Sequence, residues 1–252
     1  MPKEYPVCEE LRKNASKHCV SLFVIEQSVK AHPTTEHANG TMTIVAFEGR
    51  ILGVTCQHVV NIVLDRNREA AAPKFDLATV INSFYFVSHE RFVQPDGDAI
   101  GSKPPDIAIR ELHPAFPAAI GKIPFALDGR RAPPGIEHAV AVGYPTGIKE
   151  KDGMRVAIPC VMAIAELRGV SESMVQSFSI LKAPPEIKSF SGMSGGPMFW
   201  SDDQTYGLLG ITYEGVDPES PGLIPDPRIH LLAEAVSAER FTQWVKQVPR
   251  LY

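Results

Sequence analysis

The chain has 252 residues, 44% of them hydrophobic, with a formal net charge of −4 and an isoelectric point near 6.1. The broad basic field that draws proteins onto phosphate backbones is missing, so nucleic acid is not expected as a main partner. No window approaches 18 consecutive apolar residues, so we expect no membrane span and no membrane partner.

The cysteines and the first residues bear on the cellular compartment. The start, MPKEYPVCEELRKN, carries charges where a secretory signal would have its apolar stretch. The four cysteines show no C-x-x-C pair, and they are Cys8, Cys19, Cys56 and Cys160. This pattern predicts a cytoplasmic protein with reduced thiols.

Short β-rich segments follow one another along the chain, separated by 19 glycines and 22 prolines. This rhythm is typical of a sandwich or a barrel. The first strands are predicted at His18 to Gln27, Thr41 to Phe47 and Ile51 to Cys56, and Glu48 to Arg50 predicts a tight hairpin turn between the last two. Further strands are predicted at Thr79 to Val87, Asp106 to Leu112, Ala139 to Gly143, Arg155 to Leu167, Phe178 to Leu181, Pro197 to Trp200 and Tyr206 to Tyr213.

Helical periodicity is scarce. The polar stretch Asp65 to Lys74 predicts a surface loop or a short helix, and Lys151 to Gly153 predicts a hairpin turn. Near the end, Ser237 can cap a helix. One apolar stripe of that helix is formed by Phe241, Trp244, Val245 and Val248. We expect a single domain over 1–252, whose parts 1–120 and 121–252 each form a small barrel, the second followed by this helix.

The segment Phe190 to Pro197, FSGMSGGP, is the first candidate for chemistry. Acyl transfer needs an exposed nucleophilic hydroxyl and peptide N–H groups directed at the oxyanion that forms. Ser194 can supply the hydroxyl, and the N–H groups of Gly192 and Ser194 can form the oxyanion hole. The alternative is an ordinary glycine-rich turn between two strands.

A general base and a group that orients it complete this hypothesis. His58 stands where the apolar strand Ile51 to Cys56 ends, and Asp106 directly precedes another apolar strand. A buried carboxylate is costly alone but acceptable beside an imidazole that becomes charged. Each residue also has an ordinary explanation, as a surface histidine and as a turn aspartate. Their order along the chain, His, Asp and Ser, strengthens the catalytic interpretation.

Three motifs resemble those of the trypsin-like serine peptidases. TCQHVV is similar to the segment around their histidine, PPDIAIREL resembles their D-I-A-L strand, and GMSGGP resembles their G-D-S-G-G-P. The resemblance implies an all-β, chymotrypsin-like fold of two six-stranded antiparallel β-barrels, with His58 and Asp106 on the first and Ser194 on the second. It also implies a serine endopeptidase that acts on polypeptide substrates through an acyl-enzyme and needs no cofactor or metal.

The same resemblance extends to GLLGITYEG, which is similar to the strand that pairs with substrate backbone in these peptidases. Substrate-binding residues are therefore expected at Thr212, Tyr213, Glu214 and Gly215. The walls of the specificity pocket are expected from Glu186 to Ser191 and from Thr212 to Gly215, where Lys188 or Glu214 could supply charge.

Two positions depart from the secreted animal members of this family. Met193 replaces the aspartate that pairs with a newly cut N-terminus, so activation through that ion pair is not expected. Cys56 precedes the histidine, whereas the disulfide-forming cysteine of those enzymes follows it. A bacterial-style member is therefore expected, and its regulation could depend on a protein partner.

Other functions account for fewer of these features. An α/β-hydrolase would need Asp226 and His230 after Ser194 and a helix after the serine, but a strand is predicted there. His32 and His37 lack metal-site spacing, and Asp96 with Asp98 is more typical of a solvated turn than of a calcium site. The main alternative is a catalytically silent module of the same fold that binds peptides by strand addition.

Overall fold

The computed structural model describes residues 5–27, 33–71, 74–80, 84–97, 103–152, 155–179, 190–216 and 230–252. Its helices are α1 (Glu9–Asn14), α2 (Gln57–Glu69), α3 (Phe116–Ala119) and α4 (Ala238–Val245), with short 3₁₀ turns at Ala15–His18, His89–Arg91 and Thr146–Ile148. The strands form one open sheet, one closed barrel and one small hairpin.

The open sheet contains the first seven strands. They are β1 (Cys19–Glu26), β2 (Asn39–Phe47), β3 (Arg50–Thr55), β4 (Phe75–Val80), β5 (Phe84–Phe86), β6 (Ala108–Glu111) and β7 (Phe125–Ala126). Their order is β5-β4-β1-β2-β3-β6, with β7 added in parallel beside β2. The sheet is buried over most of β1, β2 and β3, because the barrel and the helices cover it.

The closed barrel and the hairpin contain the remaining strands. They are β8 (His138–Gly143), β9 (Glu150–Asp152), β10 (Arg155–Ala157), β11 (Val161–Val170), β12 (Met174–Ser179), β13 (Pro197–Ser201), β14 (Tyr206–Val216) and β15 (His230–Ala235). Six of them close the barrel in the order β11-β12-β15-β14-β13-β8, and β9 pairs with β10.

Several local predictions agree with these bounds. Glu48 and Gly49 form the expected turn between β2 and β3, and both have positive φ, 48° and 75°, as two-residue hairpin turns require. At the other end of the chain, Ser237 Oγ accepts a hydrogen bond from the Arg240 N–H at 3.1 Å and so caps α4. The predicted apolar stripe of α4, including Trp244, is buried.

Other local predictions were wrong in their bounds. The segment Arg155 to Leu167 is two strands, because Pro159 lies between them and has no N–H for a ladder. The strands β12 and β14 extend beyond the predicted ends, to Met174 and to Val216, and β15 was not predicted at all. The last two residues of the strand predicted to end at Leu181, and Gly153 of the predicted hairpin turn, lie outside the described residues.

The largest difference concerns α2, which the sequence suggested only as a loop or short helix over Asp65 to Lys74. The helix begins at Gln57, before that segment, and ends at Glu69. Its buried residues, Val59, Val60 and Val63, are β-branched and therefore favour strands, but here they form one apolar stripe of the helix. Asn67, in the last turn of the helix, ties it to the start of β4, because its side chain bonds both backbone groups of Phe75.

The predicted fold class is confirmed: the chain is all-β, with two packed β bodies and a C-terminal helix. One refinement is that the first body is a curled open sheet of seven strands. It includes β7, which lies beyond residue 120 and still pairs with β2. Among the helices that the structure describes, none has the length and hydropathy to cross a bilayer.

Candidate active site

His58 and Asp106 meet at the mouth between the sheet and the barrel. His58 Nδ1 lies 2.5 Å from Asp106 Oδ2, and the two side chains are 45% and 31% exposed. With the carboxylate accepting from Nδ1–H, the neutral imidazole keeps its lone pair on Nε2. The pair therefore presents a base to solvent, with its tautomer fixed by Asp106.

Asp106 has a second role that the sequence did not reveal, because it also caps α2. Its Oδ1 accepts from the backbone N–H of His58 at 2.9 Å. The residue at the N-cap position, Cys56, makes no side-chain cap hydrogen bond, so Asp106 satisfies one of the N–H groups that a helix start leaves open. A negative charge is also favoured at a helix N-terminus. The same carboxylate thus fixes both the backbone and the ring of His58.

Ser194 lies in the loop that leads into β13, and the open sheet holds this loop through β2. Thr41 Oγ1 donates to the Gly192 carbonyl at 2.8 Å, and Thr43 Oγ1 donates to the Gly195 carbonyl at 2.7 Å. Between them, the Thr41 N–H donates to the Ser194 carbonyl at 2.8 Å. Three contacts from one strand therefore turn the carbonyls of this loop toward the sheet.

The N–H groups of Gly192 and Ser194 are oriented by neighbouring carbonyls. In a trans peptide the C=O and the following N–H point to opposite sides. The Ser191 carbonyl accepts from the Thr146 N–H at 2.6 Å, and the Met193 carbonyl accepts from the Gly196 N–H at 2.8 Å. Both N–H groups therefore point away from these contacts. Within the described ranges, neither has an acceptor at hydrogen-bonding distance.

Glycine is required at Gly192, where φ is +93°. A Cβ there would lie 2.6 Å from the Tyr144 carbonyl oxygen and 2.7 Å from Asn39 Nδ2. These groups stand close because Asn39 Nδ2 itself donates to the Tyr144 carbonyl at 2.8 Å. The loop is thus packed against polar groups on one side, and the N–H groups of Gly192 and Ser194 lie on its other side.

Met193 anchors the same loop from inside the barrel. Its side chain is fully buried among the apolar residues of the barrel core, and its N–H donates to the Phe190 carbonyl at 3.0 Å. Burying a side chain of this size stabilises by about 1.5–3 kcal/mol. An apolar contact therefore holds the loop at this position.

The Ser194 hydroxyl donates to the Tyr213 carbonyl at 3.2 Å. In the part of the chain that the structure describes, no hydrogen bond joins Ser194 Oγ to His58 Nε2. The segments that contain the two residues share a contact with the Thr212 carbonyl. It accepts from the N–H of Gly195, which follows Ser194, at 2.7 Å, and from Sγ of Cys56, two residues before His58, at 3.2 Å.

A metal site at the same position is a possible alternative, because the ligand atoms of Cys56, His58 and Asp106 lie within 4.8 Å of one another. Burial, followed by the nearby Asp106 charge, raises the pKa of the Cys56 thiol well above its usual range. Metal ligation requires the thiolate. In this structure the thiol donates to the Thr212 carbonyl, and the Asp106 carboxylate bonds both the N–H and the ring of His58, so these groups have protein partners and we assign no metal site to them.

The expected substrate-binding segment, Thr212, Tyr213, Glu214 and Gly215, lies in β14. Pairing with β13 ends where Pro197 faces Ile211, while pairing with β15 continues to Val216 through a bulge at Tyr213. Beyond Ile211, therefore, one edge of β14 has no strand partner in the described chain. Of the expected pocket walls, Lys188 and its neighbours up to residue 189 lie outside the described residues, as does the side chain of Glu214.

A cavity of about 860 Å³ lies elsewhere, beside α4. Its walls include Leu127, Arg130, Trp200 and Arg240, and none of His58, Asp106 and Ser194 lines it. We place the candidate chemistry at the His58–Asp106 pair, because these two side chains bond each other there and neither lines this cavity.

Sequence reasoning missed the residues that position this site. Thr41 and Thr43 are fully buried, and the signal for them is a pair of threonines two apart on one face of an otherwise apolar strand. Glu234, whose carboxylate accepts from the Asp106 N–H at 3.1 Å, lies on the strand that was not predicted. No pattern in the sequence links it to Asp106.

Comparison with known proteins supports the fold. No family model matches the chain, and no curated protein matches it by sequence. Among solved structures, it is similar to the thermostable serine protease AL20 from an extremophilic microorganism, with a TM-score of 0.50 over 92% of this chain and 97% of that one. At 13% identity, this likeness shows a protease-like fold, and the chemistry must be argued from the residues.

Proposed function

We propose that this protein is a serine endopeptidase in which His58, Asp106 and Ser194 form the catalytic triad. The observation that carries the proposal is the His58–Asp106 hydrogen bond, together with the Thr212 carbonyl that bonds both Cys56 Sγ and the N–H of Gly195, next to Ser194. The N–H groups of Gly192 and Ser194 in that loop have no acceptor in the described residues. A paired imidazole supplies a base, and two convergent amides supply an oxyanion hole.

In the proposed reaction, the Ser194 hydroxyl first leaves the Tyr213 carbonyl and turns to His58 Nε2. His58 removes its proton as Oγ attacks the scissile carbonyl, and the N–H groups of Gly192 and Ser194 stabilise the oxyanion. Asp106 stabilises the imidazolium that forms. The imidazolium then protonates the leaving amine, and water hydrolyses the acyl-enzyme by the reverse proton path.

The open edge of β14 supports a polypeptide as substrate. An extended peptide can add to this edge through backbone hydrogen bonds over Glu214 to Val216. The Tyr213 carbonyl, which now accepts from Ser194 Oγ, is then needed by a substrate N–H. Substrate binding would therefore displace the serine hydroxyl and release it toward His58.

The buried Met193 supports activity without the ion pair of secreted zymogens. Because apolar packing holds the loop, no new N-terminus is needed to order the oxyanion hole. The four cysteines are free thiols, which suits the reducing conditions of the cytoplasm, and we propose that the enzyme acts there.

A fluorophosphonate probe tests the proposal. Wild-type protein should be labelled at Ser194 and should hydrolyse a fluorogenic casein substrate, while Ser194→Ala loses both and unfolds within about 0.5 kcal/mol of wild type. Ser191→Ala, a change in the same loop, is the matched control and should keep labelling. Folded wild type that is neither labelled nor hydrolytic would refute the proposal.

A second candidate, a peptide-binding module without turnover, is favoured by one observation. The serine hydroxyl bonds the Tyr213 carbonyl and not the imidazole. This candidate predicts that peptides bind to the folded wild type with no probe labelling and no hydrolysis. Titration of a casein-derived peptide followed by fluorescence anisotropy, run beside the probe assay, separates the two functions.

A further inference from the structure

The carboxylate of Glu234 joins the barrel to the backbone of Asp106. Its Oε1 accepts from the Asp106 N–H at 3.1 Å, and its Oε2 accepts from Arg240 Nη2 at 3.2 Å. Glu234 lies on β15 of the barrel and Arg240 on α4, while Asp106 precedes β6 of the open sheet. This is a direct polar link between the bodies beside the His58–Asp106 pair.

Arg240 is itself held firmly. It donates through Nη1 to the carbonyls of Ser173 and Ala235, at 3.0 and 2.8 Å, and its guanidinium lies 4.6 Å from the ring centre of Trp244. The Arg240 and Glu234 side chains are only 10% and 16% exposed. Because this ion pair is largely buried, forming it has a desolvation cost, and removing one partner leaves the charge of the other uncompensated.

Asp106 depends on such outside support because its own segment forms few backbone bonds. Pro104 and Pro105 precede it and have no N–H, and β6 begins only at Ala108. Two side chains anchor this segment: Gln94 Nε2 donates to the Pro105 carbonyl at 2.9 Å, and Glu234 accepts from the Asp106 N–H. Glu234 therefore fixes the backbone from which the Asp106 carboxylate reaches His58.

Glu234 also brings a negative charge next to the Asp106 backbone, 3.1 Å from its N–H. Burial is the main cause that raises the pKa of Cys56, and the charges of Asp106 and Glu234 add to it. Groups that the described residues bring to the pair thus include Cys56 before α2, Asp106 before β6, Glu234 on β15 and Arg240 on α4. Arg240, 3.2 Å from Glu234 Oε2, offsets the negative charge of that carboxylate.

We propose that Glu234 is a positioning residue for Asp106. We further propose that Arg240, as the partner of Glu234, sets the net charge that the Glu234 carboxylate presents to His58. The inference rests on the proposed peptidase function for its kinetic consequences. Glu234 holds the Asp106 backbone at the distance that lets one carboxylate bond both the N–H and the ring of His58. Neither Glu234 nor Arg240 touches the substrate in this role.

Three variants test the two parts separately. Glu234→Ala removes the acceptor and should lower kcat by about 10- to 100-fold, with KM changed less than about threefold, as expected for an outer residue that orients a catalytic group. Glu234→Gln keeps an acceptor oxygen and should retain most of kcat, while the acid limb of kcat moves to lower pH by about half a unit. Arg240→Met should move that limb to higher pH.

The control is Glu239→Gln, which removes a carboxylate of α4 that pairs with Arg131 at the surface and should change neither kcat nor the acid limb. The titration of His58 is followed in each variant by histidine NMR, which needs no turnover, and thermal unfolding shows which variants are folded. Arg240→Gln, which also removes the charge, replaces Arg240→Met if the latter does not fold.

The outcomes distinguish this inference from the proposed function. Opposite shifts of the His58 titration in Glu234→Gln and Arg240→Met support it, even if the wild type hydrolyses nothing and the peptidase proposal fails. A folded Glu234→Ala with wild-type kcat and an unmoved His58 titration would overturn it and leave the peptidase proposal intact. A purely structural role would lower stability in these variants without opposite shifts.

Discussion

The open sheet and the closed barrel contribute different kinds of groups to the candidate site. The sheet side provides side chains, His58 and Asp106, at the start of α2 and just before β6. The barrel side provides mainly backbone: the N–H groups of Gly192 and Ser194 and the carbonyls of Thr212 and Tyr213. It follows that a catalytic side chain can be altered by one substitution, whereas a catalytic backbone group depends on every contact that orients it.

Asp106→Asn tests the side chains that the sheet contributes and should have the largest effect on kcat. An amide in place of the carboxylate can still accept from the His58 N–H, so the cap of α2 survives. It favours the wrong imidazole tautomer, and kcat should fall by about 10⁴, as in the triad template. Stopped assays on a fluorogenic peptide measure the loss. A decrease under tenfold would mean that His58 is not the general base.

Gly192→Ala tests the backbone groups that the barrel side contributes. Its Cβ would approach the Tyr144 carbonyl oxygen to 2.6 Å at a φ of +93°. The loop must shift, and losing one oxyanion donor costs about 10²–10³ in kcat. Gly121→Ala is the matched control, because Gly121 also has positive φ, 66°, but nothing lies within 4 Å of the added Cβ. Equal kinetic effects in the two variants would contradict this role of Gly192.

Thr43→Val tests the junction of the two bodies, where Thr43 Oγ1 donates to the Gly195 carbonyl. Leaving that buried acceptor unpaired should cost about 1–3 kcal/mol in the free energy of unfolding. Since Gly195 neighbours Ser194, hydrolysis should weaken as well. Thr79→Val on β4 is the control, because the buried Thr79 hydroxyl has no partner in the described residues, and its loss should be neutral or slightly stabilising. Chemical denaturation of both variants gives the comparison.

The smallest effect is expected at Cys160, where a change in thiol reactivity should leave peptide hydrolysis unaffected. The Cys19 thiol from the sheet and the Lys122 cation lower the pKa of Cys160, which precedes β11 of the barrel. A larger thiolate fraction should make it the fastest thiol toward iodoacetamide, ahead of the buried Cys8, Cys19 and Cys56. Peptide mass spectrometry over a time course measures the rates. Lys122→Met should slow Cys160 alone, and uniform rates would show that this thiol is not activated.

Local sequence pattern was enough for the fold class and for several elements. Short β-rich runs between glycines and prolines predicted β1, β2, β3 and β8, and a serine followed by an amphipathic stripe predicted α4. The local pattern did not predict most of α2, because tertiary packing of its valines outweighed their preference for strands. It also failed to link Asp106 with Glu234, since contacts between residues far apart in sequence leave no local pattern.

The residue types that the chemistry needs can be read from the chain alone: a histidine at a strand end, an aspartate before an apolar strand and a serine among glycines. Their mutual arrangement comes from folding. The packed bodies set the bidentate contact of Asp106 with His58, the direction of the Gly192 and Ser194 N–H groups and the present hydrogen bond of the Ser194 hydroxyl. The physical reason is that each side chain is encoded at one position, whereas the direction of a peptide group depends on contacts from both β bodies.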